Sequence, residues 1–144
     1  MSAGAWLFVA LLAPDASAPA APPAALKTEA FQAVADPALL PEDVRAAWAR
    51  ALGQQALDVA APGTAFNTSD VGGGTRHQLI LAAVSPRYAV VHYYAGGIGL
   101  TRQAMAFSRG DGEARLSYRG RAEKEYKEPK KFLDAIHHGR LWRR

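Results

Sequence analysis

Two groups of residues in this chain have the types and spacing to do chemistry: a histidine inside an aromatic run, and a train of cations toward the C-terminus. His92 stands in Tyr88-Ala-Val-Val-His-Tyr-Tyr-Ala95, two positions before Tyr94. On a strand those two side chains share a face, which is the arrangement of a general base beside a hydroxyl. That pairing defines one expectation, a small periplasmic hydrolase-like enzyme using the His92/Tyr94 sheet face, with the Gly72–Gly74 loop as a lid. A working base also needs an orienting carboxylate and a pocket. Ser69 and Asp70 qualify by residue type alone, because no GxSxG or HExxH pattern connects them to His92. The ordinary expectation for His92 is a hydrogen-bonded sheet histidine.

The cations form the stronger binding candidate. From Arg109 to Arg144 there are eleven Lys and Arg against six Asp and Glu, whereas Met1 to Ser108 holds six against seven. The net charge of +4 therefore resides in the last quarter of the chain. Arg115, Arg119 and Arg121 alternate along one expected strand face, and Lys124, Lys127, Lys130 and Lys131 follow. Such a surplus suits an acidic protein or an anionic surface. Nucleic acid fits less well, since Tyr118 alternates onto the opposite face and leaves no stacking platform among the arginines. The competing expectation is that mixed charges such as Arg121-Ala-Glu-Lys-Glu-Tyr-Lys-Glu128 only solubilise a surface.

Other chemistry is thinly represented. Cysteine is absent, which removes disulfides, thiolate metal sites and a lipoprotein anchor. Of the four histidines, adjacent His137 and His138 project about 100° apart on a helix, and only His77 and His92 can approach across neighbouring strands. No metal and no cofactor is expected. Gly72-Gly73-Gly74 lacks the Lys-Ser/Thr of a phosphate loop. Asn67-Thr68-Ser69 matches a glycosylation sequon.

These residues need elements to position them. With 49% hydrophobic and 21% charged residues, the chain has the composition of a folded protein. Trp6 to Ala13 is an apolar run followed by small residues and prolines. It resembles a signal peptide, too short for the roughly 20 residues of a bilayer span. Pro19 displaces the expected cleavage to Ala20, giving residues 1–20 as signal, 21–25 as an Ala/Pro linker and 26–144 as one domain. The resulting expectation is export to the periplasm or medium. The alternatives are an uncleaved N-terminal anchor, or a cytoplasmic nucleic-acid binder with a misassigned start.

Within the domain, Leu26, Ala30, Phe31 and Val34 predict a helix over 26–35, closed by Asp36-Pro37. Pro41 opens a second helix to about Gln55, with Val44, Ala47, Trp48, Ala51 and Leu52 as its apolar stripe. Strands then dominate, with Phe66 expected to open a short one. The main strands span residues 78–84, 88–95, 98–108 and 113–121, separated by Ser85-Pro86-Arg87, Gly96-Gly97 and Arg109-Gly110-Asp111-Gly112. Connections this short require an antiparallel meander. Pro129 to His138, with Gly139 at C′, predicts a terminal helix covering one sheet face. The expected fold is α+β: two N-terminal helices, a four- or five-stranded meander and a C-terminal helix.

Overall fold

The computed structural model describes residues 22–143, so the signal segment expected over residues 1–20 lies outside the described residues. The chain is an α+β fold built on one antiparallel sheet. The strands are β1 (Gln32–Val34), β2 (His77–Val84), β3 (Tyr88–Ala95), β4 (Thr101–Gly110), β5 (Glu113–Ala122) and β6 (Leu141–Arg143), and their spatial order matches the sequence. The helices are α1 (Glu42–Ala51), between β1 and β2, and α2 (Pro129–His137), between β5 and β6. The meander is as expected, lengthened by two three-residue edge strands. Among the described residues no helix is long and apolar enough to cross a membrane.

The helix expected over 26–35 is not formed. Ala24–Lys27 makes a 3-10 turn that buries Leu26, taking in two residues assigned to the linker by composition. Gln32–Val34 then pairs with Val84–Ala82 at the sheet edge. The physical reason is that Phe31 and Val34 pack into different cores. Positions three apart lie on one face of a helix, whereas an extended chain sends them to opposite sides of a sheet.

Each face of the sheet carries a core. Beneath α2, Phe132, Ala135 and Ile136 pack with Leu26, Val90, Ala104, Ala106 and Tyr118. Beneath α1, Val44, Ala47 and Trp48 pack on Val91, Tyr93, Met105, Phe107 and Ala114. Asp43 in the first turn of α1 receives a forked pair from Arg109 on β4, Nε to Oδ2 at 2.9 Å and Nη2 to Oδ1 at 3.1 Å. That partner holds the Asp43 carboxyl below its ordinary range.

Both helices end by the same device. In α1, Gly53 takes φ +70° while its N–H and that of Gln54 bond to the carbonyls of Arg50 and Ala49. This Schellman closure stops the helix at Ala51 rather than at Gln55. In α2, Gly139 takes φ +65° and Arg140 N–H bonds to Ala135. The early end of α1 leaves part of the sheet without a helix above it. A 10-residue helix is about 15 Å long, while the 10-residue strands β4 and β5 run about 34 Å.

Turns depart from expectation at one point. Asp111 and Gly112 both have positive φ and join β4 to β5 as a two-residue hairpin. The β3–β4 connection, expected to be tight at Gly96-Gly97, instead spans residues 96–100. A Cβ on Gly96 would collide with the Asn67 carbonyl, and Gly97 N–H bonds to Thr68 O. The glycines admit the incoming 59–75 loop rather than closing a turn. Phe66 stacks on Tyr94 from that loop and lies outside any strand.

Candidate anion-binding cleft on the α1 face

His92 is placed on the α2 face, as the alternation of β3 requires, but it is sealed there. Its side chain is 0% exposed, stacked on Phe132 at 4.9 Å and tilted against Tyr126. Nδ1 lies 2.9 Å from Gln103 O, and Nε2 accepts the Tyr126 N–H at 3.1 Å. An Nε2 that accepts leaves the proton on Nδ1, which donates to the carbonyl. Burial pushes the pKa below its ordinary value, against the opposing pull of Gln103 O and Glu125. With both ring nitrogens committed, no lone pair remains for a substrate.

The hydrolase-like expectation therefore fails on geometry. Tyr94 donates its hydroxyl to Glu125, which that bond holds below the ordinary carboxylate range, and Arg102 lies over its ring. The glycine segment is pinned rather than lid-like: Asn67 Nδ2 donates to Val71 O and Gly73 O, and Arg76 donates to Asp70 O and Gly72 O. Those bonds also occupy the amide of the sequon. His77 lies on the α1 face and His92 on the α2 face, so they do not share an ion.

The basic strand face is broken by a β-bulge. Ala106 pairs with Tyr118, but Phe107 pairs with Leu116, leaving Ser117 as an extra residue whose hydroxyl donates to Ala106 O at 3.1 Å. An inserted residue resets the two-residue alternation. Ala114 and Leu116 accordingly pack beneath α1, whereas Tyr118 and Ala122 pack beneath α2. Arg115 is thereby separated from Arg119 and Arg121. It is exposed and pairs with Glu113 at 3.6 Å.

The lysines are dispersed as well. Lys127 pairs with Glu125, Lys131 pairs with Glu128, and Lys124 lies over the Tyr126 ring. Lys130 lines a different cleft, between α2 and the N-terminal turn, where Lys27, Glu29 and Asp134 balance the charge. The continuous basic stripe expected from the sequence does not form.

Arg119 and Arg121 instead converge on the part of the α1 face that the helix leaves uncovered. Leu52 marks the end of α1, and beyond it lies a cleft of about 440 Å³. Its floor is a cross-strand ladder. Tyr93, Gln103 and Arg121 are direct partners on β3, β4 and β5, and Met105 and Arg119 occupy the next same-face positions. Direct partners hold their Cβ atoms about 5 Å apart. Two residues along one strand are about 7 Å apart, close enough for two guanidinium groups to reach one anion. His77 forms a wall beside Tyr93, and the rim is the 96–99 segment with Ile98 at its tip.

Several polar atoms here have no internal hydrogen-bond partner. Gln103 is only 3% exposed, and its Nε2 donates to Thr101 Oγ1 at 2.9 Å while its Oε1 has no hydrogen bond. Arg119 Nε and His77 Nδ1 are likewise buried without one. Among the described residues, neither Arg119 nor Arg121 makes an ion pair, and no Asp or Glu lines the cleft. Burial lowers the His77 pKa, with Asp58 opposing. The cleft's fixed positive charge therefore belongs to the two arginines.

Comparison with protein-family models, curated proteins and solved structures finds no match.

Proposed function

We propose that this protein is an exported, non-catalytic binding domain that engages an anionic partner through Arg119 and Arg121. One observation carries the reading: these two arginines face a common cleft without a carboxylate partner, while Arg115, Lys127 and Lys131 are already paired. An unpaired buried guanidinium N–H is costly, and a bound anion removes that cost. The structural use of both His92 nitrogens supports binding over catalysis. Export rests on the apolar N-terminal run and the small residues before Ala21.

A fluorescent hexaglutamate peptide serves as an acidic-protein probe. Arg119→Gln with Arg121→Gln should weaken its binding by about tenfold or more and flatten its salt dependence. Arg115→Gln, Lys127→Gln and Lys131→Gln together should weaken it less. Equal losses in the two variants would return the charge to a diffuse surface and overturn the reading. Sequencing the mature protein should find Ala21 first; a soluble form retaining Met1 would remove the export claim.

A further inference from the structure

We infer that the cleft takes a carboxylate attached to an apolar group, with the carboxylate between Arg119 and Arg121 and the apolar group against Leu52, Ala95 and Ile98. The inference rests on the proposed anion-binding reading and specifies the ligand. Two guanidinium groups on one strand face present planar forks, which match the two oxygens of a carboxylate in one plane. Gln103 adds a third, neutral contact at the floor. A hydroxyl both donates and accepts, so the Gln103 amide can turn over on Thr101 and direct its NH2 group toward an anion.

Beside His77 and Thr101, the remaining lining includes the apolar residues Leu52, Ala95 and Ile98. Leu52 and Ala95 are half-buried, whereas the Tyr93 ring is packed away between Trp48 and His77 at 5.2 and 5.8 Å. Ile98 is 96% exposed at the rim, between Gly97 and Gly99. The cleft volume of about 440 Å³ falls within the roughly 300–1,000 Å³ typical of small-ligand sites. A bare inorganic anion leaves Ile98 exposed at the rim, whereas an amphipathic carboxylate meets the arginines and covers Ile98 as well.

Such a group occurs on a free small acid or at the C-terminus of a peptide ending in an apolar residue. Phenylacetate, N-acetyl-Ala-Ala-Phe with a free carboxylate, and the same peptide as its amide separate these sources by isothermal titration on the whole protein. Saturable binding of phenylacetate identifies a small acid as sufficient. Binding of only the free-carboxylate peptide identifies a chain terminus. The amide should bind at least about tenfold more weakly, from loss of the charged hydrogen bonds. Inorganic phosphate binding as tightly as either acid, or amide and acid binding alike, would overturn the inference.

Three variants tie binding to the named residues. Gln103→Glu places a carboxylate beside Arg121 and should abolish uptake by filling the site from within. Arg119→Lys retains charge without the fork, so it should weaken phenylacetate and the free-carboxylate peptide. Ile98→Ser should weaken phenylacetate and leave hexaglutamate unchanged. Arginine-dependent hexaglutamate binding with no uptake of either acid would sink this inference and leave the broader function standing. Uptake of an acid with no arginine-dependent hexaglutamate binding would do the reverse.

Discussion

The two faces of the sheet are made by the same strands, yet they treat their polar residues in opposite ways. Beneath α2, His92 is enclosed by Phe132 and Tyr126 and gives both nitrogens to the backbone. On the other face, α1 stops at Ala51, and buried atoms of Gln103 and Arg119 have no hydrogen bond at the cleft beyond it. A polar side chain on a sheet acquires its role from what covers it. On one face the neighbouring strand and the segment before α2 supply the hydrogen bonds, and on the other such bonds are left unmade.

Removing the cover on the sealed face should have the largest effect. Phe132→Ala deletes a fully buried ring that packs on His92 and should cost about 3–5 kcal/mol in urea unfolding. A loss under about 1 kcal/mol would mean that the α2 face is loosely packed and that the two faces differ less than their cores imply.

His92→Leu and Arg109→Met are expected next, with effects of similar size. His92→Leu leaves Gln103 O and Tyr126 N–H without their partner, a loss of about 1–3 kcal/mol. The same residue sets a pH dependence. Its folded pKa lies below the ordinary 6.5, so the unfolded chain binds the extra proton. Its contribution is present above that value and is lost as pH falls below about 6.5. The variant's stability should decline less across this window than the wild type's; parallel curves would assign the decline to other groups.

Arg109→Met tests what anchors the open face. It removes the fork to Asp43 and should cost about 1.5–3 kcal/mol, the range for hydrogen bonds to charged groups. Asp43 has a lowered folded pKa, so this contribution is present above its unfolded value and lost as pH falls. The difference between wild type and variant should therefore shrink in acid. A difference that persists at low pH would point to lost packing by the arginine stem.

The smallest effect should come from Arg119→Gln with Arg121→Gln. These residues have no ion pair to lose, so unfolding should change by no more than about 0.5 kcal/mol. A large destabilisation would show that the arginines serve the fold, and the contrast between the faces would narrow.

Several of these features were legible in the residues. Ser85-Pro86, Asp111-Gly112 and the alternating strand patterns specify a meander through local turn chemistry and short connections. Gly139 and Pro129 bracket α2 for equally local reasons. Two-residue alternation also separates the two faces of β3, placing His92 and Tyr94 together and Tyr93 opposite. The candidate cleft was less legible. Arg119 and Arg121 stood out by charge, but Gln103 and His77 carried no sign that they would join them.

The sequence alone determined the α+β class, the antiparallel order, the absence of cysteine chemistry and the C-terminal position of the positive charge. These depend on composition, turn residues and two-residue periodicity, all of which act over a few neighbours. Only the tertiary structure decided that residues 31 and 34 belong to different cores, and that Ser117 is an unpaired extra residue which parts Arg115 from Arg119 and Arg121. It alone covered His92 and left Gln103 Oε1 without a hydrogen bond. Each of those outcomes depends on which distant segment reaches the residue, and long-range packing overrides the pattern written in its immediate neighbours.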